Sequence, residues 1–188
     1  MSYFEKKIAG EKVVIIGGGG IAFDVALFLI NQGKVSKQNL REQSIDDFTQ
    51  EWGIDFSLKN PGGITKNKIV RSNRQINILQ RRFRKPGAGL GRTTGWILKE
   101  QLSNQSVKMN VGVKYEKIDN AGLHISIRGK HKLIEADHII NCSGQIENNS
   151  LADKILDKPC HLIGGSSKAL GLDAERAILE AALLAQTI

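Results

Sequence analysis

The sequence is poor in the residues that staple or anchor a chain. Its 188 residues include two cysteines, Cys142 and Cys160, too far apart to form a CxxC pair. That spacing excludes zinc-ribbon, thioredoxin-type and self-contained iron–sulfur readings, and a reduced, cytoplasmic setting is expected. No apolar run approaches the roughly 18 residues needed to span a bilayer, and residues 1–7 lack the apolar core of a signal peptide. The four histidines, His124, His131, His138 and His161, show no metal-ligand spacing. For each of them a structural role is the plainer reading. No Ser-His-Asp, Cys-His or paired-carboxylate arrangement stands out, so no catalytic residue and no metal ligand is assigned. There is no internal repeat and no low-complexity tract.

What is present is an ordinary globular composition, 40% hydrophobic and 24% charged, in which a core forms without disulfides or metal. The formal net charge of +8 suits nucleic acid, an anionic cofactor or an acidic partner. Much of it is concentrated in Arg81-Arg82-Phe83-Arg84-Lys85, so its position matters more than its total.

Hydrophobic periodicity lays out an α/β chain. Val13-Val14-Ile15-Ile16 is a β-branched run of the kind buried on both faces of a parallel sheet. Four glycines follow, and then Ile21, Val25, Phe28 and Leu29 recur at helical spacing, with Gly33 as a stop. Residues 34–73 are polar and rich in turn signals, with a short helix expected over 47–52. Strands are expected at 75–79, 107–111 and 138–142, the last of them buried. Thr93 or Thr94 is placed to cap a helix carrying Trp96, Ile97 and Leu102. Residues 113–118, 123–128 and 132–135 alternate as an antiparallel set, and Cys142 reads as a small buried side chain. Near the end, residues 160–163 read as a strand entering Gly164-Gly165. Asp173 then caps a helix whose apolar face is Ala177, Ile178, Ala181, Ala182 and Leu184.

The turn Gly17-Gly18-Gly19-Gly20-Ile21-Ala22 carries the chemistry. Gly17 permits a tight turn, Gly19 lets backbone approach a pyrophosphate, and Ala22 permits close helix–strand packing. The helix N-terminus at Gly20 and Ile21 offers free N–H groups and a positive dipole end to phosphates. A glycine-rich turn without a ligand is the alternative; its place between strand and helix favours the dinucleotide. The second strand then ends Leu79-Gln80-Arg81-Arg82, with no acid to take an NAD ribose. Arginine suits the 2′-phosphate of NADPH as a bidentate partner, and Lys85 adds a point charge. A solvated basic loop or a nucleic-acid patch is the competing reading of residues 81–85. The interval from the glycines exceeds the usual ~20 residues, so residues 34–73 are an insertion. Trp96 is either core or a cofactor contact.

These motifs resemble the NADPH domain of bacterial NADPH-dependent 2,4-dienoyl-CoA reductases. The resemblance rests on Gly17-Gly18-Gly19-Gly20-Ile21-Ala22-Phe23-Asp24, Glu51-Trp52-Gly53-Ile54-Asp55, Leu79-Gln80-Arg81-Arg82 and Lys85-Pro86-Gly87. Gly89-Leu90-Gly91-Arg92-Thr93-Thr94-Gly95-Trp96, His161-Leu162-Ile163-Gly164-Gly165 and Leu172-Asp173-Ala174 extend it along nearly the whole chain. It implies a Rossmann-like NADPH-binding domain over residues 1–145, with parallel strands, antiparallel crossover strands and the 34–73 insertion. It also implies a strand–helix remnant of an FAD domain over residues 146–188. By that resemblance Arg81, Arg82 and Lys85 hold the 2′-phosphate and Trp96 touches the nicotinamide cofactor. Gly144, Gly164, Gly165, Asp173 and Ala174 would meet FAD once the other half of its domain is supplied. The FMN barrel and the iron–sulfur cluster of such an enzyme have no counterpart here. The chain is thus expected to be the electron-input part of such an enzyme, partnered by the missing barrel and FAD domains, with neither nucleic acid nor membrane as a partner. A stand-alone NADPH-binding module, or a subunit of another flavin or iron–sulfur oxidoreductase, is the alternative. The residues Gln145-Ile146-Glu147-Asn148 depart from the family by lacking a proline after Ser143-Gly144.

Overall fold

The computed structural model describes residues 10–32, 44–155 and 158–188. The reading of residues 1–7, the Gly33 stop and the first part of the 34–73 insertion lie outside them. The chain divides into two compact units, Met1–Ser143 and Gly144–Ile188.

The first unit is a three-layer α/β structure. Four strands, β1 (Lys12–Ile16), β2 (Gln75–Gln80), β3 (Lys108–Val111) and β7 (His138–Asn141), form a wholly parallel sheet in the order β3-β2-β1-β7. Residues of β1 alternate between the two faces. Val13 and Ile15 join the core under helix α1 (Gly20–Gln32), together with Phe23, Ala26, Ile30, Ile78 and Leu102. Helix α3 (Gly95–Asn104) packs on the same side through Leu102. Val14 and Leu79 face a second sheet, the antiparallel meander β4 (Val113–Asp119), β5 (Gly122–Ile127) and β6 (Lys130–Ile134). From that sheet Val113, Leu123, Ile125 and Ile134 complete the second core. Val13, Val14 and Ile15 are wholly buried, which explains the unbroken β-branched run. Burying each such side chain contributes about 1.5–3 kcal/mol.

Strand β7 is not the buried strand that its sequence suggests. It lies at the sheet edge beside β1, and His138 and Asn141 are exposed. Its apolar Ile139 and Ile140 each face one core, so short apolar runs do not distinguish edge from centre. Cys142 is half-buried rather than fully enclosed, and desolvation pushes its thiol up. Thr94 does occupy the position before α3, but with helical backbone angles and no side-chain hydrogen bond.

The described part of the insertion holds helix α2 (Ile45–Trp52). Ser44 caps it by accepting from the Asp47 N–H at 3.0 Å, and Gly53 ends it in the left-handed conformation. A bridge between Ile54 and Ile64 closes the following loop. Gln105 fastens the segment's end by accepting from the Ser72 N–H and donating to the Val70 carbonyl.

In the second unit, residues 160–163 form no strand. Ile163 is extended (φ −135°, ψ 164°), yet no described neighbour pairs with it, and an unpaired extended segment is not a strand. A 3-10 turn, Gly164–Ser166, follows. Helix α4 (Ala174–Ala185) starts where Asp173 caps it, accepting from the Arg176 N–H at 2.8 Å. Its apolar side chains find no core: Ile178, Leu179 and Leu183 are exposed.

Candidate functional site

The glycine turn stands between β1 and α1. Gly17 has φ +127°, and a Cβ there would lie 2.2 Å from the Cys142 carbonyl oxygen, so only glycine fits. Its N–H donates to the Leu79 carbonyl at 2.8 Å, tying the turn to the end of β2. That carbonyl also accepts from the Tyr115 hydroxyl at 3.0 Å. Gly19 is different: it is exposed, and a Cβ there would meet nothing within 4 Å. Among the described residues, the N–H groups of Gly19, Gly20 and Ile21 have no backbone or side-chain acceptor. Open space above Gly19 and free N–H groups at a helix start are what a pyrophosphate needs, so these residues fit a dinucleotide. Ala22 is wholly buried beside the helix-side core, as close helix–strand packing demands.

The loop after β2 folds back onto this turn. The Gly87 N–H donates to the Gly18 carbonyl at 3.0 Å. A Cβ on Gly87 would fall 2.7 Å from Phe23 and 2.9 Å from Leu90, so the close approach requires glycine. The Gln80 carboxamide donates to the carbonyls of Arg82 (3.0 Å) and Arg84 (2.6 Å), and the Arg84 guanidinium donates to the Ala88 carbonyl at 3.1 Å. Arg81, Arg82 and Lys85 are exposed. The structure thus brings this basic cluster beside the glycine turn on one end of the parallel sheet. Burial raises the Tyr115 phenol, while the charge of Arg81 pulls it the other way. Sequence reasoning missed Gln80 and Tyr115 as site-building residues. A glutamine just before a basic pair, and an aromatic hydroxyl in a half-buried strand needing a partner, were the available signals.

Trp96 is exposed in the first turn of α3 and is not a core residue. Its ring meets that of Trp52 from α2, with centroids 6.1 Å apart. The residues assigned to the flavin side lie in the second unit. Gly144 has φ +151° and open space around it. Gly164 is buried, and its N–H already donates to the Glu180 carboxylate at 2.5 Å. Gly165 packs near Leu172, Asp173 caps α4, and Ala174 is its first residue. The histidines are used locally: His124 meets Asp119 at 2.8 Å, His131 meets Glu116 at 2.9 Å, and His138 accepts from the Gly10 N–H. His161 is exposed. Among the described residues no group of histidine, cysteine or carboxylate side chains is arranged to hold a metal, and no helix is long and apolar enough to cross a membrane.

A parallel sheet with a glycine turn at its first strand end, a helix start above it and an antiparallel meander behind it defines a Rossmann-type nucleotide-binding unit. The family model for pyridine nucleotide-disulphide oxidoreductases matches residues 1–164, and the chain belongs to that family. Its members bind FAD and NAD(P)H. The chain is similar to a metal reductase of Desulforamulus reducens, 22% identical over 150 residues that make up 80% of this chain and 21% of that protein. It therefore spans about a fifth of the length of that curated relative. Its fold resembles that of a 2-naphthoyl-CoA reductase (TM-score 0.62, 19% identity, 92% of this chain, 20% of the other). It also resembles the bacillithiol disulfide reductase of Staphylococcus aureus (TM-score 0.57, 13% identity, 96% of this chain, 51% of the other).

Proposed function

We propose that this chain is the NADPH-binding, electron-input part of a longer flavoenzyme of the 2,4-dienoyl-CoA reductase type, delivering hydride from NADPH to FAD. The observation that carries the reading is the junction of two anion-seeking features. The free N–H groups at Gly19, Gly20 and Ile21 adjoin a loop that presents Arg81, Arg82 and Lys85. The glycine turn would take the pyrophosphate, and the arginines would clamp the 2′-phosphate that distinguishes NADPH from NADH. Bound NADPH would supply the hydride; the residues described hold and orient it. On this reading Trp96 lies along the cofactor, residues 146–188 belong to the FAD domain, and Gly144, Gly164, Gly165, Asp173 and Ala174 lie toward the flavin. The family supports the flavin and pyridine nucleotide, while the acyl-CoA substrate rests on the sequence resemblance.

Titration with NADPH and NADH at one salt concentration tests the nucleotide reading. NADPH is expected to bind more tightly, and Arg81→Ala or Arg82→Ala to remove about 1.5–3 kcal/mol from NADPH binding alone, the usual contribution of a hydrogen bond between charged groups. Equal affinity for both nucleotides in the unaltered chain would refute the preference.

A further inference from the structure

From the geometry around the end of β2, we infer that Gln80 is the positioning residue that sets the NADPH preference, by latching the basic loop to the glycine turn. This inference rests on the NADPH reading above. Gln80 is the last residue of β2 and is half-buried. Its Nε2 faces two carbonyl oxygens, of Arg82 at 3.0 Å and Arg84 at 2.6 Å. Only an NH2 group can donate to both, and this fixes the orientation of the carboxamide. The Oε1 side then lies against the glycine turn, where a Cβ on Gly18 would stand 2.1 Å away. One side chain therefore touches both halves of the site. Independently, the Gly87 N–H donates to the Gly18 carbonyl at 3.0 Å, closing the loop back on the same glycine.

The residues that would contact a phosphate, Arg81, Arg82 and Lys85, are exposed. Long cationic side chains hold a useful geometry only when their backbone is held. In this loop Gln80 bonds directly to the carbonyls of Arg82 and Arg84, and Arg84 in turn reaches the Ala88 carbonyl. Glutamate at this position would present two acceptors to two carbonyl oxygens and add a negative charge beside the cations. Both effects work against a dianion. The chemistry predicts a residue that governs the difference between ligands with and without a 2′-phosphate, and not adenosine binding itself.

The test uses the full chain with Gln80→Met, which keeps the length of the side chain without its donor, and Gln80→Glu. Calorimetric titration with 2′,5′-ADP and with 5′-AMP at fixed salt compares two ligands that differ only in the 2′-phosphate. Gln80→Met is expected to lower the preference for 2′,5′-ADP by about tenfold, the weight of one or two hydrogen bonds. Its 5′-AMP affinity should change far less than its 2′,5′-ADP affinity. Gln80→Glu should lower the preference further. A Gln80→Met chain that keeps the wild-type preference would overturn the role of Gln80 and leave the NADPH reading intact. So would equal loss of both ligands, or a fall in thermal midpoint without a change in preference, since either marks a merely structural residue. An unaltered chain that does not distinguish the two ligands would defeat the NADPH reading itself, and this inference with it.

Discussion

Trp96 meets Trp52 edge to face, the ring centroids 6.1 Å apart and the planes inclined by 77°. Phe48, one turn earlier on α2, adds a tilted contact to Trp52 at 6.3 Å. Trp52 ends α2, and Trp96 opens α3 next to the glycine-rich loop. The pair therefore ties the insertion to the nucleotide-binding unit.

Such a pair contributes about 0.5–1.5 kcal/mol beyond the area it buries. Urea unfolding of Trp52→Leu, Trp96→Leu and the double variant, followed by circular dichroism, should yield a coupling energy of that size. Strictly additive losses would show that the rings do not stabilise one another.

Gly17 and Gly19 should respond oppositely to alanine. At Gly17 the backbone lies at φ +127° and the added carbon meets the Cys142 carbonyl at 2.2 Å. Backbone strain alone costs about 1–3 kcal/mol there, and the clash adds to it. Gly17→Ala is thus expected to lower the thermal midpoint markedly. Gly19→Ala meets no neighbour within 4 Å and should melt near wild type. Its methyl group would instead stand where the pyrophosphate approaches, weakening NADPH by about tenfold or more, the equivalent of one charge-assisted hydrogen bond. Normal NADPH binding by a stable Gly19→Ala chain would remove the glycine turn from the cofactor site.

How much of this was legible beforehand follows from the range of each interaction. The strand–turn–helix around Gly17 is local, and the burial of Val13, Val14 and Ile15 on both faces is visible as an unbroken β-branched run. The meander β4-β5-β6 was legible from alternation and from its turns. The edge position of β7 was not, because Ile139 and Ile140 look the same whether a further strand follows or not. Nor was the fate of residues 160–163, since extended backbone becomes a strand only when another segment supplies its hydrogen bonds. Gln80 stands inside the basic motif, but its bonds run to backbone carbonyls, and carbonyls carry no sequence signature. The contact of Trp96 with Trp52 joins two segments far apart in the chain, and spacing along either helix does not reveal it.

Two aspartates should report on local order at low pH. Asp55 is held down to about 2 by the Ser57 hydroxyl and the Asn60 N–H, and Asp119 to about 2 by Lys117, then by the Ala121 N–H and His124. Both folded values lie below the ordinary aspartate value of 3.8. The charged forms therefore favour the folded turns at any pH above that value, and this contribution disappears as the pH falls through about 2. Carboxyl carbon shifts followed by NMR should show midpoints near 2 for both residues. Midpoints at 3.8 would mean that these turns do not form in solution.

The second unit depends on polar anchors because α4 buries little. Arg176 donates to the Leu170 carbonyl at 3.2 Å and also to that of Lys168. Its Nε lies 3.5 Å from Glu180, whose other oxygen accepts from the Gly164 N–H at 2.5 Å. One arginine–glutamate pair on successive turns of α4 thus fastens residues 164, 168 and 170 to the helix. Arg176 and Glu180 are both partly shielded from water, and hydrogen bonds to charged groups contribute about 1.5–3 kcal/mol each in such places. Arg176→Met should accelerate amide exchange across residues 164–172 by about tenfold or more, as should Glu180→Ala. Exchange in β1 and β2, which belong to the other unit, should be unchanged. Protection at 164–172 that survives both substitutions would show that the bond from the Ala169 N–H to Glu147 and the packing around Leu172, and not this pair, hold the segment in place.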